Sequence, residues 1–187
     1  MKIFKRNIEA NLITALKDTP VILLNGARQS GKTFLLKEMV RKNLISEYIT
    51  LDNIEPFTVA SREPEDFLNS FKGSVILDEI QRIPEIFVSI KANVDKKRTP
   101  GKFILSGSAD IFQLPKLTDS LAGRIEVHTL YPLSQMEINN KKGSFVDHIF
   151  SKNTQWNSLP ILKYHGKKSF HLYSRSEERR VGKECRS

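Results

Sequence analysis

The stretch Pro20-Val-Ile-Leu-Leu-Asn-Gly-Ala-Arg-Gln-Ser-Gly-Lys-Thr-Phe-Leu-Leu36 decides the reading of this chain. It opens on an apolar run closed by Gly26, the pattern of a fully buried strand. From Thr33 to about Asn43, the residues Phe34, Leu35, Leu36, Met39 and Val40 recur at helical spacing. Between strand and helix, Gly26-Ala-Arg-Gln-Ser-Gly-Lys-Thr33 matches the phosphate-loop pattern G-x-x-x-x-G-K-[ST]. The placement gives the motif its force. Glycines let successive backbone N–H groups curl around phosphate oxygens, and the helix N-terminus adds partial positive charge. Gly26, Ala27, Arg28, Gln29, Ser30, Gly31, Lys32 and Thr33 are therefore the expected nucleotide-binding residues. Lys32 would reach the β- and γ-phosphates, and Thr33 would offer its hydroxyl to Mg²⁺.

Working outward, the apolar pattern alternates between strand and helix. Ile8 to Leu16 reads as a short helix, and Tyr48-Ile-Thr-Leu51 as a second strand. Glu55 to Lys72 reads as helical or irregular, with Pro56 and Pro64 at helix starts. Ser74-Val-Ile-Leu77 is another buried strand. Ile83, Ile86, Phe87, Ile90 and Val94 then form one face of a helix with Pro84 near its start. Phe103-Ile-Leu105 and Ile125 to Leu130 complete the strands, with a helical or turn segment from Ile111 to Leu121. Such alternation predicts an α/β fold with a parallel sheet covered on both faces. Past Pro132 the pattern weakens, and Asn139 to Gly143 reads as a loop before Phe145 to Phe150. The expected organisation is a core over residues 1–131 and the cut-short start of another region over 132–174.

Composition narrows the class. The 187 residues are 39% hydrophobic and 27% charged, too apolar for wholesale disorder and too polar for a membrane protein. No apolar run approaches a bilayer span, and the start lacks a secretory signal, so a cytoplasmic address is expected. Residues 175–187 resemble the in-frame translation of a sequencing-library adapter and are read as a non-native tail. Setting them aside removes five Lys/Arg, three Glu and the single cysteine, Cys185, and lowers the net charge from +9 to +7. That excess permits a phosphate-rich or nucleic-acid partner. The run Asp95-Lys-Lys-Arg98, with Lys91 a turn earlier, is the nearest thing to a nucleic-acid patch, although such runs are usually solvated helix ends. His128, His148, His165 and His171 have no ligand-like spacing, which leaves zinc unsupported, and Trp156 reads as packing.

A second signal is Val75-Ile-Leu-Asp-Glu79, a buried strand ending in two acids. Downstream of a phosphate loop, Asp78 would hold the Mg²⁺ shell, and Glu79 would orient and deprotonate an attacking water. In Phe103-Ile-Leu-Ser-Gly-Ser-Ala109, Ser106 or Ser108 is the candidate hydroxyl facing a γ-phosphate, with Ser108 preferred. Arg124, in Leu121-Ala-Gly-Arg124, is a candidate arginine finger or charge sensor. Catalysis is thus assigned to Glu79, Lys32, Ser108 and Arg124, and the metal to Thr33 and Asp78.

These segments, with Tyr48-Ile-Thr-Leu-Asp52, Ile76-Leu-Asp-Glu-Ile-Gln-Arg-Ile-Pro84 and Leu130-Tyr-Pro-Leu-Ser134, resemble an AAA+ family of bacterial and archaeal P-loop ATPases that carry a C-terminal domain of unknown function. The similarity runs from about Arg6 to Ser134. It implies a five-stranded core with the phosphate-loop strand near the centre, ATP and Mg²⁺ as ligands, and self-association as a route to an arginine in trans. The expected function is ATP hydrolysis driving a conformational change. A small-molecule kinase and a non-catalytic nucleotide-binding module are the alternatives. The kinase has no need of Glu79 and would want an arginine-rich lid. A GTPase is disfavoured because no Asn-Lys-x-Asp segment occurs.

Overall fold

The structure is a computed structural model that describes residues 3–108, 111 and 121–140. The expected segments at 112–120 and 145–150, His148, His165, His171, Trp156 and the tail lie outside the described residues. Five strands form one sheet: β1 (Val21–Asn25), β2 (Glu47–Thr50), β3 (Val75–Asp78), β4 (Phe103–Gly107) and β5 (Ile125–Thr129), in the order β2-β3-β4-β1-β5. Every pairing is parallel. The phosphate-loop strand β1 is paired on both sides and lies one position in from an edge. Among the described residues the helices are α1 (Ile8–Ala15), α2 (Lys32–Arg41), α3 (Ile54–Arg62), α4 (Pro64–Ser70), α5 (Ile86–Lys96) and α6 (Gln135–Ile138).

Strand residues alternate between two cores because successive side chains point to opposite faces. Ile22, Leu24, Ile76 and Ile104 pack with Leu12 of α1 and with Leu35, Leu36 and Met39 of α2. Val21, Leu23, Val75, Leu77, Phe103 and Leu105 pack on the other face with Phe67 and Leu68 of α4 and with Ile86, Phe87, Ile90 and Val94 of α5. Each of these strand residues is essentially inaccessible to solvent, which explains why the sequence shows unbroken apolar runs there. The two prolines act as expected. Pro64 is the first residue of α4 and Pro56 lies in the first turn of α3, where no intrahelical N–H is required. The helix after β3 begins later than its apolar pattern, at Ile86, because residues Ile80–Arg82 first make a 3₁₀ turn.

Beyond residue 131 the chain is still fastened to the core. Ser134 caps α6 in a capping box: its hydroxyl accepts the Glu137 N–H, and its own N–H donates to the Glu137 carboxylate. The same carboxylate accepts the Asn7 N–H at 2.9 Å and pairs with Arg6 Nε at 3.1 Å. Burial alone would raise the Glu137 carboxyl, but donation from Ser134, Asn7 and Arg6 outweighs it and holds the group below its usual 4.5. A carboxylate depressed in the fold stabilises above its unfolded value and loses that contribution as pH falls through the folded one. Glu137→Gln is therefore expected to melt below wild type at pH 7, with the gap closing as the pH is lowered beneath 4.5. Thermal unfolding of both proteins across that range checks this.

Candidate functional site

Parallel strands put their C-terminal ends together, and that edge gathers the polar residues. The loop after β1 turns on unusual backbone angles: Gly26 has φ +155°, Gly31 +95° and Gln29 +62°. A Cβ at Gly26 would lie 2.4 Å from the Leu130 carbonyl oxygen, so only glycine fits where the loop passes the end of β5. Lys32 opens α2, and its buried ammonium donates to the carbonyls of Gly26 at 2.8 Å and Ala27 at 3.0 Å. Burial draws this ammonium below the usual lysine range, opposed by the charges of Glu79 and Asp78. An ammonium has three protons, so this arrangement leaves one for a phosphate oxygen.

Across the loop, the buried Asp78 ends β3 on the face covered by α2. Its Oδ2 accepts Thr33 Oγ1 at 2.9 Å and the Tyr48 hydroxyl at 2.5 Å, and its Oδ1 accepts the Glu79 N–H at 3.1 Å. Thr33 and Asp78 are a hydroxyl and a carboxylate in contact, hard oxygen donors of the kind that hold Mg²⁺ with few protein ligands and the remainder from phosphate and water. Among the described residues there is no cluster of three or more His, Cys, Asp and Glu arranged to hold a metal. Glu79 follows in the left-handed region, φ 58° and ψ 41°, and its carboxylate accepts Gln81 Nε2 at 2.5 Å.

Arg28, Lys32, Thr33, Asp52, Glu79 and Ser108 line a cleft of about 650 Å³ at this edge. Gln29, Gly31 and Phe34 join it to a smaller, mainly apolar cleft of about 250 Å³ walled by Phe4, Phe34, Pro132 and Leu133. Of the two candidate serines, Ser108 faces the larger cleft. Ser106 lies inside the sheet, its hydroxyl fully buried and without a hydrogen-bond partner.

Arg124 is not brought to this cleft. It precedes β5, whose first residue pairs with Val21, so it sits at the N-terminal end of the strands, a strand length from the phosphate loop. Its Nε and Nη2 both donate to Asp95, to Oδ1 at 2.5 Å and Oδ2 at 3.0 Å, and its Nη1 donates to the Ala122 carbonyl at 3.0 Å. The basic run after Asp95 lies at the same far end, where α5 stops ahead of β4. Two residues that the sequence reading did not single out do join the site. Asp52 lines the cleft, and Tyr48 reaches Asp78 because Thr50 pairs with Asp78 and Tyr48 shares its face of β2. Burial and then the Asp78 carboxylate push the Tyr48 phenol well above its usual range, so it stays a donor.

A glycine-rich loop between a buried strand and a helix, facing a strand that ends in two acids, defines a P-loop nucleoside-triphosphate-binding domain of α/β type. The chain belongs to the AAA domain family, whose model matches residues 18–139. It is 34% identical over 141 residues to the uncharacterized proteins Rv2008c of Mycobacterium tuberculosis and Mb2031c of Mycobacterium bovis, a match covering 75% of this chain. The match spans 31% of those relatives, about a third of their length. Among solved structures, the Walker-type ATPase PABY2304 of Pyrococcus abyssi is similar at 19% identity and TM-score 0.44, over 75% of this chain and 60% of that one. AMPPCP-bound DnaA of Aquifex aeolicus is similar at 18% identity and TM-score 0.49, over 71% and 48%.

Tyr48→Phe removes a donor to a buried carboxylate without changing shape, and is expected to cost about 1.5–3 kcal/mol of stability by chemical denaturation. Arg124→Ala, at the far end of the sheet, is expected to leave nucleotide affinity within about twofold of wild type in a binding titration, a difference of about 0.4 kcal/mol.

Proposed function

We propose that this domain binds ATP with Mg²⁺ and hydrolyses it to ADP and phosphate, the free energy driving a conformational change. The observation that carries the reading is the single cleft shared by Lys32, Thr33, Glu79 and Ser108, with Asp78 hydrogen-bonded to Thr33 at its base. The triphosphate would lie along the loop, with the remaining Lys32 proton on its outer phosphates. The adjoining apolar cleft suits an aromatic base between Phe34 and Leu133. Thr33 and Asp78 would hold Mg²⁺, which when bound offsets phosphate charge.

Glu79 supplies the chemistry. Its carboxylate would accept a proton from water as the water oxygen bonds to the γ-phosphorus. The bond from that phosphorus to the bridging oxygen breaks, and ADP leaves with the electron pair. Ser108, which also lines the cleft, is suited to donate to the γ-phosphate. A carboxylate held at the cleft favours water over a second substrate as the acceptor, which sets hydrolysis ahead of a small-molecule kinase. Arg124 could serve a nucleotide only from a neighbouring copy, and only after leaving Asp95.

The test separates binding from turnover. Lys32→Ala is expected to abolish saturable binding of a fluorescent ATP analogue that GTP displaces poorly. Glu79→Gln is expected to retain that binding and lose phosphate release by about 10²–10⁴-fold, the usual worth of general base catalysis. A folded Glu79→Gln that turns over at the wild-type rate would remove Glu79 from the hydrolytic step.

A further inference from the structure

Arg6 lies outside the residues matched by the family model and outside the phosphate-loop motif, yet it is built into the site. Its side chain is 9% exposed, and its guanidinium reaches three separate segments. Nη1 donates to the Ser30 carbonyl within the phosphate loop at 2.8 Å, Nη2 to the Tyr131 carbonyl after β5 at 2.5 Å, and Nε to Glu137 of α6 at 3.1 Å. A buried guanidinium is costly unless its donors are met, and here each of its three nitrogens donates to a partner in a fixed direction.

The Ser30 contact bears on phosphate binding through the geometry of the peptide unit. In a trans peptide the carbonyl and the following N–H point to opposite sides. A Ser30 carbonyl held by Arg6 therefore turns the Gly31 N–H away from Arg6. A phosphate loop works by aiming such N–H groups at one anion. Gly31 lies beside the guanidinium, since a Cβ there would be in ordinary contact with Arg6 Nη1 at 3.4 Å, and its φ of +95° is the left-handed region that favours glycine. The Tyr131 and Glu137 contacts anchor the other side of the same group, and Glu137 is itself fixed by the Ser134 cap and the Asn7 N–H.

We propose that Arg6 is a positioning residue for the phosphate loop, fixing the Ser30–Gly31 peptide for triphosphate binding and tying that loop to the segment from Tyr131 to Glu137. The proposal rests on the nucleotide-binding reading above. A lysine cannot replace the arginine fully, because one ammonium cannot span three partners in a plane.

The experiment titrates wild type, Arg6→Ala, Arg6→Lys and Glu137→Gln with a fluorescent Mg-ATP analogue, and in competition with inorganic tripolyphosphate, which has no base. Circular dichroism and thermal melting report folding. Arg6→Ala is expected to weaken both ligands about tenfold, Arg6→Lys less, and Glu137→Gln about two- to threefold by loosening the guanidinium while leaving its charge, the tenfold loss being about 1.4 kcal/mol. Parallel losses for both ligands place the effect at the phosphates; a loss confined to the ATP analogue would put it in the apolar cleft and overturn the proposal. If Arg6→Ala does not fold, the two conservative variants decide. Folded Arg6→Lys and Glu137→Gln with wild-type affinity for both ligands overturn it alone. A folded wild type that binds neither ligand overturns the nucleotide reading and this proposal with it.

Discussion

Parallel strand register is the constraint on which the rest of this molecule depends. Val21 pairs with Phe103 and with Ile125, and Val75 pairs with Phe103. With all strands running one way, the loop after β1, the acids after β3 and the serine after β4 emerge at one edge. Nothing in the loop's own chemistry would bring Lys32 and Glu79 together, since they lie far apart in sequence and on different elements. The sheet brings them together through backbone hydrogen bonds that are buried on both faces and so resist slippage. A one-residue shift of β3 would turn Asp78 away from Thr33 and carry Leu77 into the face now occupied by Ile76.

The polar groups at that edge hold one another before any ligand is considered. Lys32 rests on its own loop, Thr33 and Tyr48 converge on one oxygen of Asp78, and Gln81 holds Glu79. Such mutual satisfaction is what a buried charge needs in the absence of water. The pairing between Arg6 and Glu137 extends the same logic outward, from the loop to a helix that the apolar pattern barely marks.

Much of the fold was legible because its strands are buried on both sides. Val21 to Leu24, Val75 to Leu77 and Phe103 to Leu105 are unbroken apolar runs, and each is a strand of the sheet. The phosphate loop was legible because its glycines and its lysine sit in a fixed spacing. Tyr48 was not, since its part depends on which residue of β3 it neighbours, and register is written in no local pattern. Arg6 was missed for a related reason: its partners lie 24, 125 and 131 residues away. Arg124 shows the converse. A plausible residue type in a plausible motif does not fix which end of a strand it occupies.

The backbone at Glu79 draws these points into one consequence. Four described non-glycine residues have positive φ: Gln29, Asn43, Glu79 and Asn140. Asparagine tolerates that region, but glutamate and glutamine do so at a cost of about 1 kcal/mol or more each. Both costly residues line the larger cleft at the phosphate loop. Glycine at position 79 would relax the chain and delete the carboxylate in the same stroke, so robustness and chemistry pull that position in opposite directions. A search for hardier versions of this domain, made without a functional screen, would drift toward proteins that fold better and have lost the carboxylate proposed to meet the water.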